Sequence, residues 1–168
     1  MDAWLINWLF RRLGLKVCWA VFLTIKCAGN PARMIGLCLG VINHLYDEER
    51  EDFRTRLDIL LHRPDAPMPP IHPGQWVTER AYNNRDPGES LANFLIERER
   101  SIAWLRELEN PDWDQAATTP NGRPFHAGDM AASWAAHDLL HLRQLIELHW
   151  AWNLQASEPY NVEYAGDW

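Results

Sequence analysis

The sequence predicts an all-α fold, a four-helix bundle with long crossover loops. Three observations carry this. Apolar residues recur at helical spacing through most of the 168-residue chain, in four segments. Long proline- or turn-rich stretches separate the later segments, as crossovers between bundle helices require. No stretch alternates polar and apolar residues with the two-residue period of a strand. At this length one domain over residues 1–168 is the default.

The first segment, residues 3–28, is rich in Trp, Leu, Val and Phe and predicts a buried first helix. Its longest uncharged run, Val17 to Ile25, has nine residues, whereas a spanning helix needs about 20. Arg11, Arg12 and Lys16 ahead of it imitate a signal peptide, but Lys26 stands where small residues should lead to cleavage. Asn30-Pro31 stops this helix and starts the next. The second segment runs to about Leu61, with Ile42, Leu45, Tyr46, Phe53, Leu57 and Leu60 as its apolar stripe. The acidic run Asp47 to Asp52 is expected on its solvated side. Residues 62–88 hold six of the eleven prolines, so they are expected to be largely irregular. A third helix is predicted from about Pro87 to Leu108, with Leu91, Phe94, Leu95, Ile102 and Leu105 facing inward, and Asn110-Pro111 ends it. Residues 111–126 form a second loop with an Asn121-Gly122 turn. The fourth helix runs from Ala127 to about Leu154, and residues 155–168 form a C-terminal tail.

Composition narrows the function classes. With 47% hydrophobic residues spread along the chain, disorder and low complexity are excluded. A net charge of −7 argues against a general nucleic-acid binder, which needs a basic face. Cys18, Cys27 and Cys38 are an odd count without zinc-knuckle spacing or a disulfide framework, which predicts a reducing, cytoplasmic setting. The apolar N-terminal segment offers a homodimer surface if it does not pack internally.

The chemistry is concentrated in the fourth helix. Met130, Trp134, His137, His141, Leu145, Leu148 and Trp152 follow steps of three and four, the pattern of a bundle seam. His137 and His141 are adjacent on that stripe, with Cβ atoms roughly 6 Å apart. Two imidazoles in a seam are hard to satisfy, since each has two nitrogens to accommodate. A shared divalent metal is one solution; hydrogen bonds to carboxylates such as Glu48 are another. No Glu follows His137, so this is not the HExxH motif of zinc proteases. A third ligand would come from His44, His62, His72, His126 or His149. His149 is about 12 Å along the axis from His141, too far to share an ion. Helical periodicity does not single out any of the rest.

The stretch His44-Leu-Tyr-Asp47-Glu48, followed by His137-Asp-Leu-Leu-His141-Leu-Arg-Gln144-Leu, resembles the DinB-like superfamily. Trp104-Leu-Arg-Glu-Leu, the Asp112-Trp113 loop with Gly122 beyond it, and Tyr164-Ala-Gly-Asp-Trp168 add to the likeness, which covers residues 41–168. Residues 1–40 depart from the family pattern: its usual first helix and Trp-Ser-like element are not recognisable there. The resemblance implies a four-helix bundle with a divalent metal on His44, His137 and His141. The ion would be zinc or nickel by preference, with iron and manganese also compatible. It further implies a metal-dependent hydrolase, or a transferase or isomerase using low-molecular-weight thiols such as bacillithiol or mycothiol, acting on a small molecule. The net charge and the short uncharged run separately argue against nucleic acid and membrane as partners.

Three further residues are candidates for catalytic roles. Glu48, one turn after His44, reads as an acceptor behind a ligand, a weak ligand or a general base, or else as one more solvated carboxylate. Gln144, one turn past His141, lines the pocket or caps a polar edge of the bundle. Arg98, in the helix-three stripe, binds a substrate carboxylate or pairs with a bundle carboxylate such as Glu48. Asp138 is expected to project away from the seam. Trp76 and Tyr82 wall a pocket or anchor their loop by burial. The two readings of the whole are an enzyme with an open three-histidine site, and a non-catalytic, stress-associated metal- or ligand-binding bundle.

Overall fold

The computed structural model describes residues 31–118 and 122–167. The predicted first helix over residues 3–28 lies outside them. Helix α1, Pro31–Glu48, starts at the predicted proline, a residue whose fixed φ suits the first helical position. It passes through a π-turn at Glu49–Phe53 into α2, Arg54–His62. Next come the short helix α3, Pro73–Glu79, a 3-10 turn at Tyr82–Asn84, and α4, Pro87–Glu107. Strands β1, Ala116–Thr118, and β2, Pro124–His126, precede the longest helix, α5, Ala127–Ala156. Another 3-10 turn, Glu163–Ala165, interrupts the tail. This is the predicted all-α class, with long connections between long helices. Among the described residues no helix is long and apolar enough to cross a membrane.

The helix ends follow local chemistry. Asp86 caps α4 by accepting from the Glu89 amide at 2.9 Å, and Pro87 occupies the first turn. At α5 the Asp129 carboxylate accepts from the His126 amide at 3.2 Å, one half of a capping box.

Two apolar cores stand at opposite ends of the bundle. One joins Cys38, Val41, Ile42 and Leu45 to Phe94 and Leu145. The other joins Phe53, Leu57 and Leu60 to Leu105, Met130, Ala131 and Trp134. Contacts of residues 41–45 with Phe94, and of 53–60 with Leu105, make α1–α2 parallel to α4, while α5 runs the other way. Parallel neighbours cannot be joined by a short turn, which explains the long 62–88 crossover. Between the cores lies a polar layer, contributed by residues 44–52, 97–101 and 137–141.

That layer corrects the expected exposure of the acidic run. Asp47, Glu48, Glu49 and Asp52 are all buried. Each has found a cationic or hydrogen-bonding partner, which is the condition for burying a charge. Asp47 accepts from the Tyr82 hydroxyl at 2.6 Å, from Arg50 at 2.5 Å and from Arg80 at 2.9 Å. Asp52 pairs with Arg56 at 2.8 Å. The π-turn accommodates one extra residue there, so the acidic run turns inward without breaking the helix.

The crossovers are more ordered than the sequence predicts. Residues 62–88 contain α3 and a 3-10 turn, with Trp76 and Tyr82 buried as anchors. Arg80 stacks over the Trp76 ring at 4.2 Å. The second loop contains an antiparallel hairpin that pairs Ala116 with His126. Strands of three residues are too short to show alternation. Gly122 has φ +78°, the left-handed conformation its predicted turn demands.

Candidate metal centre

Three histidines meet in the polar layer. One nitrogen from each of His44, His137 and His141 lies within 4.8 Å of the other two, the one such group of potential ligands among the described residues. His137 and His141 owe their alignment to the helical period of α5, and their Nε2 atoms are 3.1 Å apart. His44 comes from α1, its ring centroid 4.7 Å from that of His141 and 5.3 Å from that of His137. Phe53 closes the floor, 4.9 Å from the His137 ring and stacked at 5.7 Å on Trp134.

The other histidines are elsewhere. His62 pairs with Asp58, His126 binds the Asp114 carbonyl at 2.9 Å, and His149 packs on Trp152. His72 caps α3 by position.

Electrostatics favours neutral rings at His44 and His141. Burial pushes His44 down to about 4, against the pull of Glu48 and with the neighbouring imidazoles adding to the effect. Burial and then His137 lower His141 too. Gln144 Oε1 sits 2.9 Å from His141 Nδ1, so it accepts from Nδ1–H and leaves the Nε2 lone pair facing the group. This donor set fits a divalent ion. Two ring nitrogens 3.1 Å apart cannot both carry protons, and an ion accepts both lone pairs.

Glu48 stands beside the group. Its Oε2 is 3.0 Å from His137 Nε2, and its Oε1 is 3.6 Å from His44 Nδ1. Burial alone would raise its carboxyl. Without an ion, the bond donated by His137 Nε2–H and the surrounding imidazoles outweigh that and hold it below the usual range; a bound ion would take the lone pair of that nitrogen in place of its proton. It does not belong to the set of mutually close ligand atoms.

Arg98 does not reach the histidines. Of its two expected roles the structure realises the bundle pairing, with Glu49 and Asp138 instead of Glu48. Its Nε and Nη2 donate to the two Glu49 oxygens, each at 2.7 Å, and Nη1 and Nη2 donate to Asp138. Trp134 Nε1 donates to the same Glu49 at 3.1 Å. Asp138 therefore faces inward, which corrects the expectation that it leaves the seam. A heptad count carries the missed signal: Leu91, Arg98 and Leu105 are seven apart, as are Ala131, Asp138 and Leu145, and Ile42 and Glu49.

The comparisons with known proteins agree with this architecture. A family model described as the DinB superfamily matches residues 38–145, which leaves the Tyr164 to Trp168 element outside the match. No curated protein matches the chain. Among solved structures the chain is similar to YfiT from Bacillus subtilis, described as a probable metal-dependent hydrolase with an unusual four-helix bundle topology. The TM-score is 0.57 and the identity 20%, over 66% of this chain. The match spans 63% of that protein's chain, less than two thirds of its length. At that identity the likeness shows the bundle fold. The family model covers more than half of the sequence, and the chain belongs to the DinB superfamily.

Proposed function

We propose that this is a metal-dependent enzyme in which His44, His137 and His141 hold one divalent ion and Glu48 moves a proton during hydrolysis or thiol transfer on a small molecule. The observation that supports it most is the convergence of three imidazole nitrogens with a carboxylate beside the group and outside it. Closed structural zinc sites use four protein ligands, whereas three leave room for a reacting molecule. A bound divalent ion supplies Lewis acidity, which makes water or a thiol acidic near neutral pH.

The chain's own residues supply the rest. Neutral His44 and His141 present lone pairs at pH 7 without first losing a proton. Gln144 fixes the tautomer and ring angle of His141. Glu48, 3.0 Å from His137 Nε2, would take a proton from the attacking water or thiol and return it to the leaving group. Zinc or nickel suits an all-imidazole set, and iron or manganese also accepts one. The description of YfiT as a probable hydrolase supports the water branch. The thiol branch rests on the family resemblance. A second reading, a non-catalytic bundle with a structural ion, draws on the same 3.0 Å contact: a small shift of Glu48 would complete four protein ligands.

Elemental mass spectrometry tests the ligand set. Wild type is expected to carry near one equivalent of metal, lost in both His44→Ala and His141→Ala. Loss in His141→Ala alone would mean a different third ligand, and no metal in wild type after incubation with zinc or nickel refutes the proposal. Glu48→Gln separates the two readings. An enzyme keeps its metal and loses on the order of 100-fold in turnover across an ester and thiol-transfer panel. A structural site loses metal instead.

A further inference from the structure

A cleft of about 720 Å³ opens against the three-histidine group, with His44 and His141 in its wall. That volume is in the range of small-molecule sites, roughly 300–1,000 Å³. Ile35, Leu37 and Val77 stand around it with 43%, 46% and 38% of their surface exposed, an unusual outlay of large apolar side chains on one concave surface. Gly36 and Gly40, one turn apart on α1, form a side of bare backbone. Among the described residues a Cβ at Gly40 would meet nothing within 4 Å, so a side chain there would extend into the cleft. The polar groups in the wall besides the histidines are Asn83 and Gln144.

No Lys, Arg, Asp or Glu is among the described residues of this wall. Among the described residues three nearby guanidiniums are engaged elsewhere. Arg98 is buried between Glu49 and Asp138, Arg80 is bound to Asp47 and Glu51, and Arg85 donates to Asn43 at 2.7 Å. A carboxylate or phosphate on the body of the substrate, away from the ion, would meet no cationic side chain among the described residues of this wall and would carry the desolvation cost of an unpaired charge.

We infer that this cleft holds the body of the substrate, and that the substrate is an uncharged, largely apolar small molecule. Its reacting group lies at His44 and His141, and a neutral hydrogen-bonding group lies at Asn83 and Gln144. The inference rests on the metal-centre reading above and narrows it. Water, or a thiol without acidic groups, is the co-reactant the cleft admits, and a thiol bearing several carboxylates is not.

Hydroxamates provide the test, because their head binds a divalent ion and their tail is chosen freely. Isothermal titration calorimetry on the full chain loaded with zinc compares acetohydroxamate, octanohydroxamate and the octane analogue ending in a carboxylate. Octanohydroxamate is expected to bind at least about tenfold more tightly than acetohydroxamate, from burial of its methylenes. The terminal carboxylate should cancel most of that gain. Gly40→Leu should abolish the tail's advantage while leaving acetohydroxamate binding and metal content unchanged, which also shows that the variant is folded. If acetohydroxamate binds and the tail adds nothing, or if the acidic analogue binds best, this inference is overturned and the metal centre stands. If neither hydroxamate binds and the protein retains no zinc, the metal-centre reading fails and takes this one with it.

Discussion

Replacing Arg98 with methionine removes the cation from the centre of the polar layer. The guanidinium bridges Glu49, 1% exposed, and Asp138, 3% exposed, so the variant leaves two carboxylates facing each other without compensation. Methionine retains much of the side-chain volume, and the loss is therefore mainly electrostatic. Breaking a buried ion pair from one side costs about 3–5 kcal/mol, a large share of the roughly 5–15 kcal/mol that a domain of this kind possesses. At about 2–4 °C per kcal/mol for this chain length, the melting temperature should fall by about 6–20 °C. Urea and thermal unfolding, followed by circular dichroism, measure this at pH 7. The loss should shrink as pH falls, because burial already pushes the Glu49 carboxyl up and, without Arg98, protonation neutralises it. Adding Glu49→Gln and Asp138→Asn should recover part of the stability at neutral pH, since both variants remove charge and Gln keeps an acceptor for Trp134. A loss below about 1 kcal/mol, or one independent of pH, would refute the claim that this triad is a buried, mutually dependent charge network.

Other consequences follow from the site. Zinc or nickel at about 100 times its dissociation constant should stabilise the protein by about 2.7 kcal/mol, seen as a chelator-reversible rise in melting temperature that His141→Ala eliminates. The metal-free protein should lose stability as pH falls from about 6.5 to about 4, because unfolded His44 takes up a proton there and folded His44, held at about 4, does not. The sign is fixed: stability is fully present above the unfolded value, and up to about 3 kcal/mol is gone below the folded one. The lowered His141 acts in the same sense over this window, and Glu48, lowered by its imidazole neighbours against burial, does so below 4.5, so a flat acid limb would contradict the surroundings assigned to them. Gln144→Leu removes the acceptor at His141 Nδ1 and should weaken metal affinity by about 10–100-fold, with full occupancy restored at saturating metal. An unchanged affinity by competition with a chromogenic chelator would mean that Gln144 does not orient the ring.

Most of the helical framework was legible in the sequence. Pro31, Pro87 and Ala127 mark observed helix starts, because proline and capping residues act on their own turn. The hairpin and α3 were missed. Three-residue strands carry no period, and a seven-residue helix among prolines is held by Trp76 and by Arg80 reaching Asp47 and Glu51, not by its own propensity.

The site divides along the same line. His137 and His141 share a face by the 3.6-residue period alone, so their pairing is a property of one helix and the sequence determines it. His44 is 93 positions earlier than His137, and nothing in the periodicity of α1 selects it. Only the packing of α1 against α5 brings it to the pair, and on the sequence side only the family resemblance names it. The acidic run shows the converse. Read locally, six charged residues in a row belong in water. In the fold, Asp47 meets Tyr82 and Arg80 from the crossover, Glu49 meets Arg98 from α4, and Glu48 meets His137 from α5. Whether a carboxylate is buried depends on whether a partner arrives from a distant element. That is a property of the tertiary structure, because the energy of burying a charge is set by its neighbours in space and not by its neighbours in the chain.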